Sequence, residues 1–303
     1  MNRFLIKTSL LAFLLGSILI ILELWVRSIP NESSYKCEYM EKNISDIKVL
    51  CLGSSVARSG INPDIFPVNA FNVAQVSQDL ETDCAILHKY LSRADSLEYV
   101  LLPILPMSYS YRMGEFIDRP RLRKYSIYMD LDVEKPDFED RFELSNFSAA
   151  VVQIITYLKG GRTIECYKKG MGDDNLVDNE TAKRVDGEKI SRMHNDIFFN
   201  HKDNYRIIVP ALENAIKECA NHNVKVIICV VPCYYTYRDN IASGMVSECD
   251  SISRVIATRY PNVTYLNYYT DSTFVTEDFR NSNHLSQCGA NKLTKQIVKK
   301  IYY

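Results

Sequence analysis

Five short apolar runs, separated by stretches of helical periodicity, limit what this chain can become. They are residues 48–53, Ala70–Ala74, Tyr99–Ile104, Val224–Val231 and Val263–Leu266. Apolar residues follow one another along most of their length rather than alternating, the pattern of strands buried on both faces. Between them Leu80, Cys84, Leu87 and Leu91 keep helical spacing, as do Ile208, Leu212, Ala215, Ile216 and Cys219. Two further helices are predicted over 247–260 and 287–301, and Ser77 or Asp79 can cap the helix that runs to about Ser92. Such alternation predicts an α/β domain, a parallel sheet in three layers. With 303 residues, 47% of them hydrophobic, the chain can bury one substantial core.

The N-terminus follows a different rule. Arg3 and Lys7 precede a 19-residue run, Thr8–Val26, whose only charge is Glu23. That length crosses a bilayer. The flanking cations predict a cytoplasmic N-terminus, with the rest of the chain outside the cell membrane as a single-pass protein. No small-x-small cleavage pattern follows the run, and Trp25 suits an interfacial anchor, so an uncleaved signal anchor is expected rather than a removed signal peptide. The expected organisation is an anchor over 1–30, a polar stalk over 31–46 and the α/β domain over 47–303. Within that domain 108–203 breaks the strand–helix rhythm and is rich in charge and tyrosine, so it reads as an insertion rimming a site, or as a solvated excursion. Ala149–Leu158 is its one apolar piece and a candidate helix.

Net charge is −1, with no basic excess of the kind that binds nucleic acid. Nine cysteines stand singly, without CxxC or metal-ligand spacing, so neither a metal nor a cofactor is expected. Their odd number argues against a fully paired disulfide framework. Asn-x-Ser/Thr sequences begin at Asn31, Asn43, Asn146, Asn179 and Asn262, and matter only in a glycosylating pathway. His88 reads as a packing or surface residue and His222 as a turn residue, while His194 and His201 match no ligand pattern.

The chemistry points to two places far apart in sequence. Val49-Leu50-Cys51-Leu52 ends abruptly in Gly53-Ser54-Ser55, a strand delivering a small-residue turn at its carboxyl edge. Open α/β sheets hold their chemistry just beyond such edges. A serine there is a nucleophile when a base reaches it. The candidate base lies in Phe279-Arg280-Asn281-Ser282-Asn283-His284-Leu285. Gly60-Ile61-Asn62-Pro63 should break or kink any helix begun after Ser55.

Taken with Ile29-Pro30-Asn31, Ala70-Phe71-Asn72-Val73-Ala74, Ser77-Gln78-Asp79 and Gly289-Ala290, these segments resemble the SGNH/GDSL hydrolase superfamily. More closely, the chain looks like its membrane-anchored bacterial members associated with acyl modification of envelope polysaccharides. The resemblance implies a flavodoxin-like sheet in the order 2-1-3-4-5. It places the nucleophile at Ser55, with Ser54 in place of the family's Asp, and the base at His284. The family's orienting Asp falls on Asn281, a departure. A different carboxylate, such as Asp278, can instead be imagined on the ring. The glycine whose N–H helps bind the oxyanion falls nearest Ser77. The block that supplies an oxyanion Asn is replaced by Leu105-Pro106-Met107-Ser108-Tyr109, which leaves Asn72 as a substitute. Arg58 is a candidate substrate contact. The implied activity is a membrane-anchored serine esterase or O-acyltransferase. It would act on an acylated cell-surface glycan or another ester, with a multispanning membrane acyltransferase as a possible partner. The other reading is a non-catalytic assembly or glycan-binding protein with a degenerate triad.

Overall fold

The computed structural model describes residues 2–134, 137–173 and 180–303. In chain order its longer elements are α1 (Asn2–Ser28), α2 (Glu32–Asn43), β1 (Val49–Cys51), α3 (Ser55–Gly60), β2 (Ala70–Asn72), α4 (Leu80–Tyr90), β3 (Tyr99–Ile104), α5 (Leu122–Met129), α6 (Phe147–Leu158), α7 (Glu180–His201), α8 (Tyr205–Asn221), β4 (Lys225–Val230), α9 (Tyr235–Arg238), α10 (Ser243–Arg259), β5 (Val263–Asn267) and α11 (Gln287–Tyr302). The chain forms two compact units, one of residues 1–37 with 119–165, the other of residues 38–118 with 166–303.

The second unit is the α/β domain. Its five strands are all parallel, in the order β2-β1-β3-β4-β5. This is the predicted topology. Consecutive apolar residues explain it, because β1 is buried at every position and β3 and β4 at all but their first. Helices α3 and α11 pack together, as do α4 and α8. Right-handed crossovers put the two pairs on opposite faces of the sheet. The chain leaves β1 toward β2 and passes from β3 toward β5 in the other direction. The carboxyl ends of β1 and β3 therefore flank the switch in strand order, where open sheets form a crevice. A hairpin with a Cys166–Gly172 bridge lies against β2, where the Asn72 N–H donates to the Lys169 carbonyl at 3.0 Å.

In the first unit, α1 is the one helix among the described residues that is long and apolar enough to cross a membrane. The solitary acid of its apolar run is accounted for. Glu23 accepts hydrogen bonds from the Glu143 and Leu144 N–H groups at 2.9 and 3.0 Å and pairs with Arg27 at 2.6 Å. The stretch read as a polar stalk contains α2, with Lys36 buried and paired to Glu32 at 2.7 Å. Residues 108–203 are divided between the units, 119–165 lying in the first. Among the described residues no two cysteines are joined in a disulfide. Of the five Asn-x-Ser/Thr positions, Asn31 is buried and Asn179 lies outside the described residues.

Candidate active site

The turn after β1 is built on Gly53. Its φ is +111°, and a Cβ there would lie 2.9 Å from the Pro103 carbonyl oxygen and 3.0 Å from the Ala57 Cβ. Glycine meets both demands at once. The Gly53 N–H donates to Asp83 Oδ1 at 2.8 Å, and the Gly53 carbonyl accepts from the Gln75 N–H at 3.3 Å. One short turn is thereby tied to α4 and to the loop after β2. Ser54 is extended and its carbonyl starts α3, accepting from Ala57 and Arg58 N–H groups at 3.0 and 2.9 Å. Ser55 is the first residue of α3, a position whose N–H has no partner in the helix ladder.

The base comes from a loop closed on itself. Phe279 and Leu285 form an antiparallel bridge, and the Arg280 N–H donates to the His284 carbonyl at 3.0 Å. A second tie is the Tyr234 N–H, which donates to the Ser282 carbonyl at 2.9 Å and joins this loop to the mouth of β4. Ser286 caps α11 just beyond. Gly289 passes so close to the Asp278 carbonyl that a Cβ would lie 2.0 Å from its oxygen.

These two segments, 229 residues apart, meet. Ser55 Oγ lies 2.8 Å from His284 Nε2, and His284 Nδ1 lies 3.0 Å from Asn281 Oδ1. The proton positions follow. Asn281 Oδ1 also accepts the backbone N–H groups of His284 at 2.9 Å and Asn283 at 3.2 Å. Only the oxygen end of the amide can accept two backbone donors, so the amide orientation is fixed. An amide oxygen cannot donate, so Nδ1 carries the ring proton and Nε2 is the acceptor for the Ser55 hydroxyl. That is the tautomer a serine nucleophile needs. Asp278 does not supply a carboxylate here. Its Oδ2 accepts Lys292 Nζ at 2.7 Å and the Val275 N–H at 2.9 Å.

The remaining sequence candidates fall differently. Asn72 is fully buried, and its side-chain nitrogen donates to the Ala57 carbonyl at 2.9 Å and the Ile61 carbonyl at 3.0 Å. Its Oδ1 accepts the Ala74 N–H at 3.1 Å. The amide that was a candidate oxyanion donor is spent on holding α3 to β2. Ser77 has φ +61°, the left-handed conformation that favours glycine, and the resemblance puts a family glycine there. Its side chain faces Tyr111, leaving the backbone N–H as its possible contribution. Arg58, the candidate substrate contact, is buried within α3 at 3% exposure and is no surface charge. Leu105-Pro106-Met107-Ser108-Tyr109 forms a buried turn whose Tyr109 hydroxyl meets Ser253 Oγ at 2.9 Å, and it brings no Asn to the site.

His194 was not singled out by any pattern, yet it belongs to these surroundings. It sits on α7, 3% exposed, with Nδ1 2.7 Å from the Tyr237 hydroxyl. Burial, reinforced by repulsion from nearby His284, lowers its pKa to about 3. It is therefore neutral wherever His284 can act as a base. Asp83, behind Gly53, is pushed up to about 7 by burial, against the opposing hydrogen bonds from Gln78 and Gly53.

No family model matches the chain, and no curated protein matches it. Among solved structures, one provisionally assigned as a platelet activating factor from Streptococcus pneumonia aligns over 97% of this chain and 99% of its own, at 12% identity and a TM-score of 0.45. An acylhydrolase from Bacteroides fragilis NCTC 9343, also provisionally assigned, aligns over 86% and 94%, at 10% identity and a TM-score of 0.39.

Proposed function

We propose that the chain is a serine esterase or O-acyltransferase of the SGNH/GDSL type, held at the cell membrane by α1 with its α/β domain outside the cytoplasm. The observation that carries the chemistry is the Ser55–His284 contact of 2.8 Å, with the ring tautomer set by Asn281. As Ser55 Oγ attacks an ester carbonyl, its proton passes to Nε2 of His284. The oxyanion is met by N–H groups, with those of Ser55 and Ser77 as candidates. Collapse of the tetrahedral intermediate expels the alcohol, which takes the proton from Nε2 and leaves an acyl-Ser55. A second hydroxyl then gives its proton to Nε2 and attacks the acyl carbon, restoring Ser55. Water in that role makes an esterase, and a sugar hydroxyl makes a transferase.

The proposed substrate is an acylated cell-surface glycan, with a multispanning membrane acyltransferase as a possible donor of the acyl group. What supports this is the family resemblance together with the apolar α1. The second reading, a non-catalytic glycan-binding or assembly protein, draws on Asn281. A neutral amide orients the imidazolium but does not offset its charge. Hydrolysis of a chromogenic acetyl ester by the full-length protein in detergent separates the two readings. The enzyme reading expects turnover that Ser55→Ala and His284→Ala each remove. Equal rates for the wild type and both variants would favour the non-catalytic one.

A further inference from the structure

Helix α6 is unusual for a surface helix. Its twelve residues, Phe147-Ser-Ala-Ala-Val-Val-Gln-Ile-Ile-Thr-Tyr-Leu158, include no ionisable acid, lysine, arginine or histidine. Ala150 alone is buried, while Phe147, Val152, Ile155, Tyr157 and Leu158 are exposed. Its ends are well made. Asn146 caps the start through the Ala149 N–H at 3.1 Å, and Gly160 and Gly161 close the end onto the Tyr157 and Thr156 carbonyls at 2.9 and 2.8 Å. The helix is thus a defined element showing apolar side chains outward, where a soluble protein would place charge.

Its neighbour says what covers that face. α6 packs on α1 in the same compact unit. Gln153 Nε2 donates to the Val26 and Ile29 carbonyls, each at 3.4 Å, one in the last turn of α1 and one just beyond its end. The turn just before α6 is fastened to the same end, through the two N–H bonds to Glu23 and the Arg27 bond to the Arg141 carbonyl. Helical spacing puts Phe147, Ile155 and Leu158 on the side away from Gln153. The apolar run of α1 ends at Val26, so a bilayer threaded by α1 has its outer boundary at the level of these contacts. We infer that α6 lies in the outer interface of the membrane, its exposed apolar face in contact with lipid, as a second membrane contact fixed to the end of the anchor. This inference rests on the reading of α1 as a retained membrane span. A helix lying in the interface buries its apolar side to about 5–10 Å, within reach of the upper acyl chains. Fixing α6 to α1 would restrain how unit one turns about the span.

The chain holds a single tryptophan, Trp25, which makes the test direct. The full-length protein is reconstituted in phosphatidylcholine vesicles, with or without bromine on the upper acyl chain, and tryptophan emission is compared. Trp25 in the wild type reports α1. Two variants, Trp25→Phe with Leu158→Trp and Trp25→Phe with Ile155→Trp, report α6 independently, in case one misfolds. The expected result is loss of emission in brominated vesicles from both α6 tryptophans, comparable with that of Trp25. Quenching of Trp25 while both α6 tryptophans keep full emission would overturn the inference and leave the anchor standing. It would place α6 against a protein partner or water. Absence of quenching at Trp25 itself would remove the anchor reading and this inference with it.

Discussion

Asn281 is the side chain that decides which nitrogen of His284 carries the proton. In serine proteases with a Ser-His-Asp triad, replacing the Asp by Asn costs about 10⁴-fold in turnover because the imidazole takes the wrong tautomer. Here the cause of that loss is removed. Two backbone N–H groups hold Oδ1 toward the ring, so Nδ1 remains the donor. What is missing is only the charge. A hydrogen bond to an ionised acceptor is roughly twice as strong as a neutral one. Asn281→Asp should therefore raise kcat/KM on the acetyl ester by on the order of tenfold, about 1.4 kcal/mol. An unchanged rate would mean that the site is built around the amide. Asn72 belongs to a different class of residue. Its buried amide serves four backbone partners, and Asn72→Ala takes that bond from the Ile61 carbonyl and the Ala74 N–H, which should cost about 2–4 kcal/mol in denaturant unfolding. Ser77→Gly keeps the N–H and relieves a left-handed serine. It should retain esterase activity and raise stability by about 1 kcal/mol.

At the scale of elements, two buried groups oppose one another across the same pH range. Asp83, with a folded pKa near 7 against an unfolded value of 3.8, binds its proton more tightly when folded. It contributes stability that is present at low pH and fades as pH rises from about 4 to 7. His194 is the reverse. Its folded pKa near 3 lies below 6.5, so its contribution is present above about 6.5 and is lost as pH falls toward 3. Between pH 4 and 6.5 the two slopes largely cancel, each limited to about 1.4 kcal/mol per pH unit for one proton. Thermal melts across that range should show Asp83→Asn gaining stability with rising pH relative to the wild type. His194→Gln should lose stability with rising pH relative to it. Parallel curves for all three proteins would contradict this. The same elements show what the sequence made legible. The five strands could be read because apolar residues run in succession along most of each, and α3 ended at Gly60-Ile61-Asn62-Pro63 as expected. α2 and α7 could not, since both are polar along most of their length; α2 carries the buried i,i+4 pair Lys36–Glu32, and α7 is tied to α9 by His194–Tyr237. The Ser55–His284 meeting was legible only through two motifs and the rule that strand ends share an edge. The occupation of Asn72 was invisible, because a strand-end asparagine looks the same whether it faces substrate or backbone.

For the whole molecule, the proposed anchoring sets where the chemistry takes place. With Arg3 and Lys7 held inside, reporter fusions after Pro30 should be active only outside the cytoplasmic membrane. The mature protein should keep its N-terminal helix. A mature start near residues 27–35 would show a cleaved signal instead. All of the proposed catalytic chemistry sits in the α/β domain, on two segments from opposite ends of that domain joined at one 2.8 Å contact. That contact should make Ser55 the one serine activated for attack on phosphorus as well as carbon. The most direct measurement is therefore to treat the full-length protein with a fluorophosphonate probe and map the adduct by peptide mass spectrometry. The account predicts a single adduct on Ser55, absent in Ser55→Ala and strongly slowed in His284→Ala. No adduct on the folded wild type, or labelling that persists in Ser55→Ala, would contradict it.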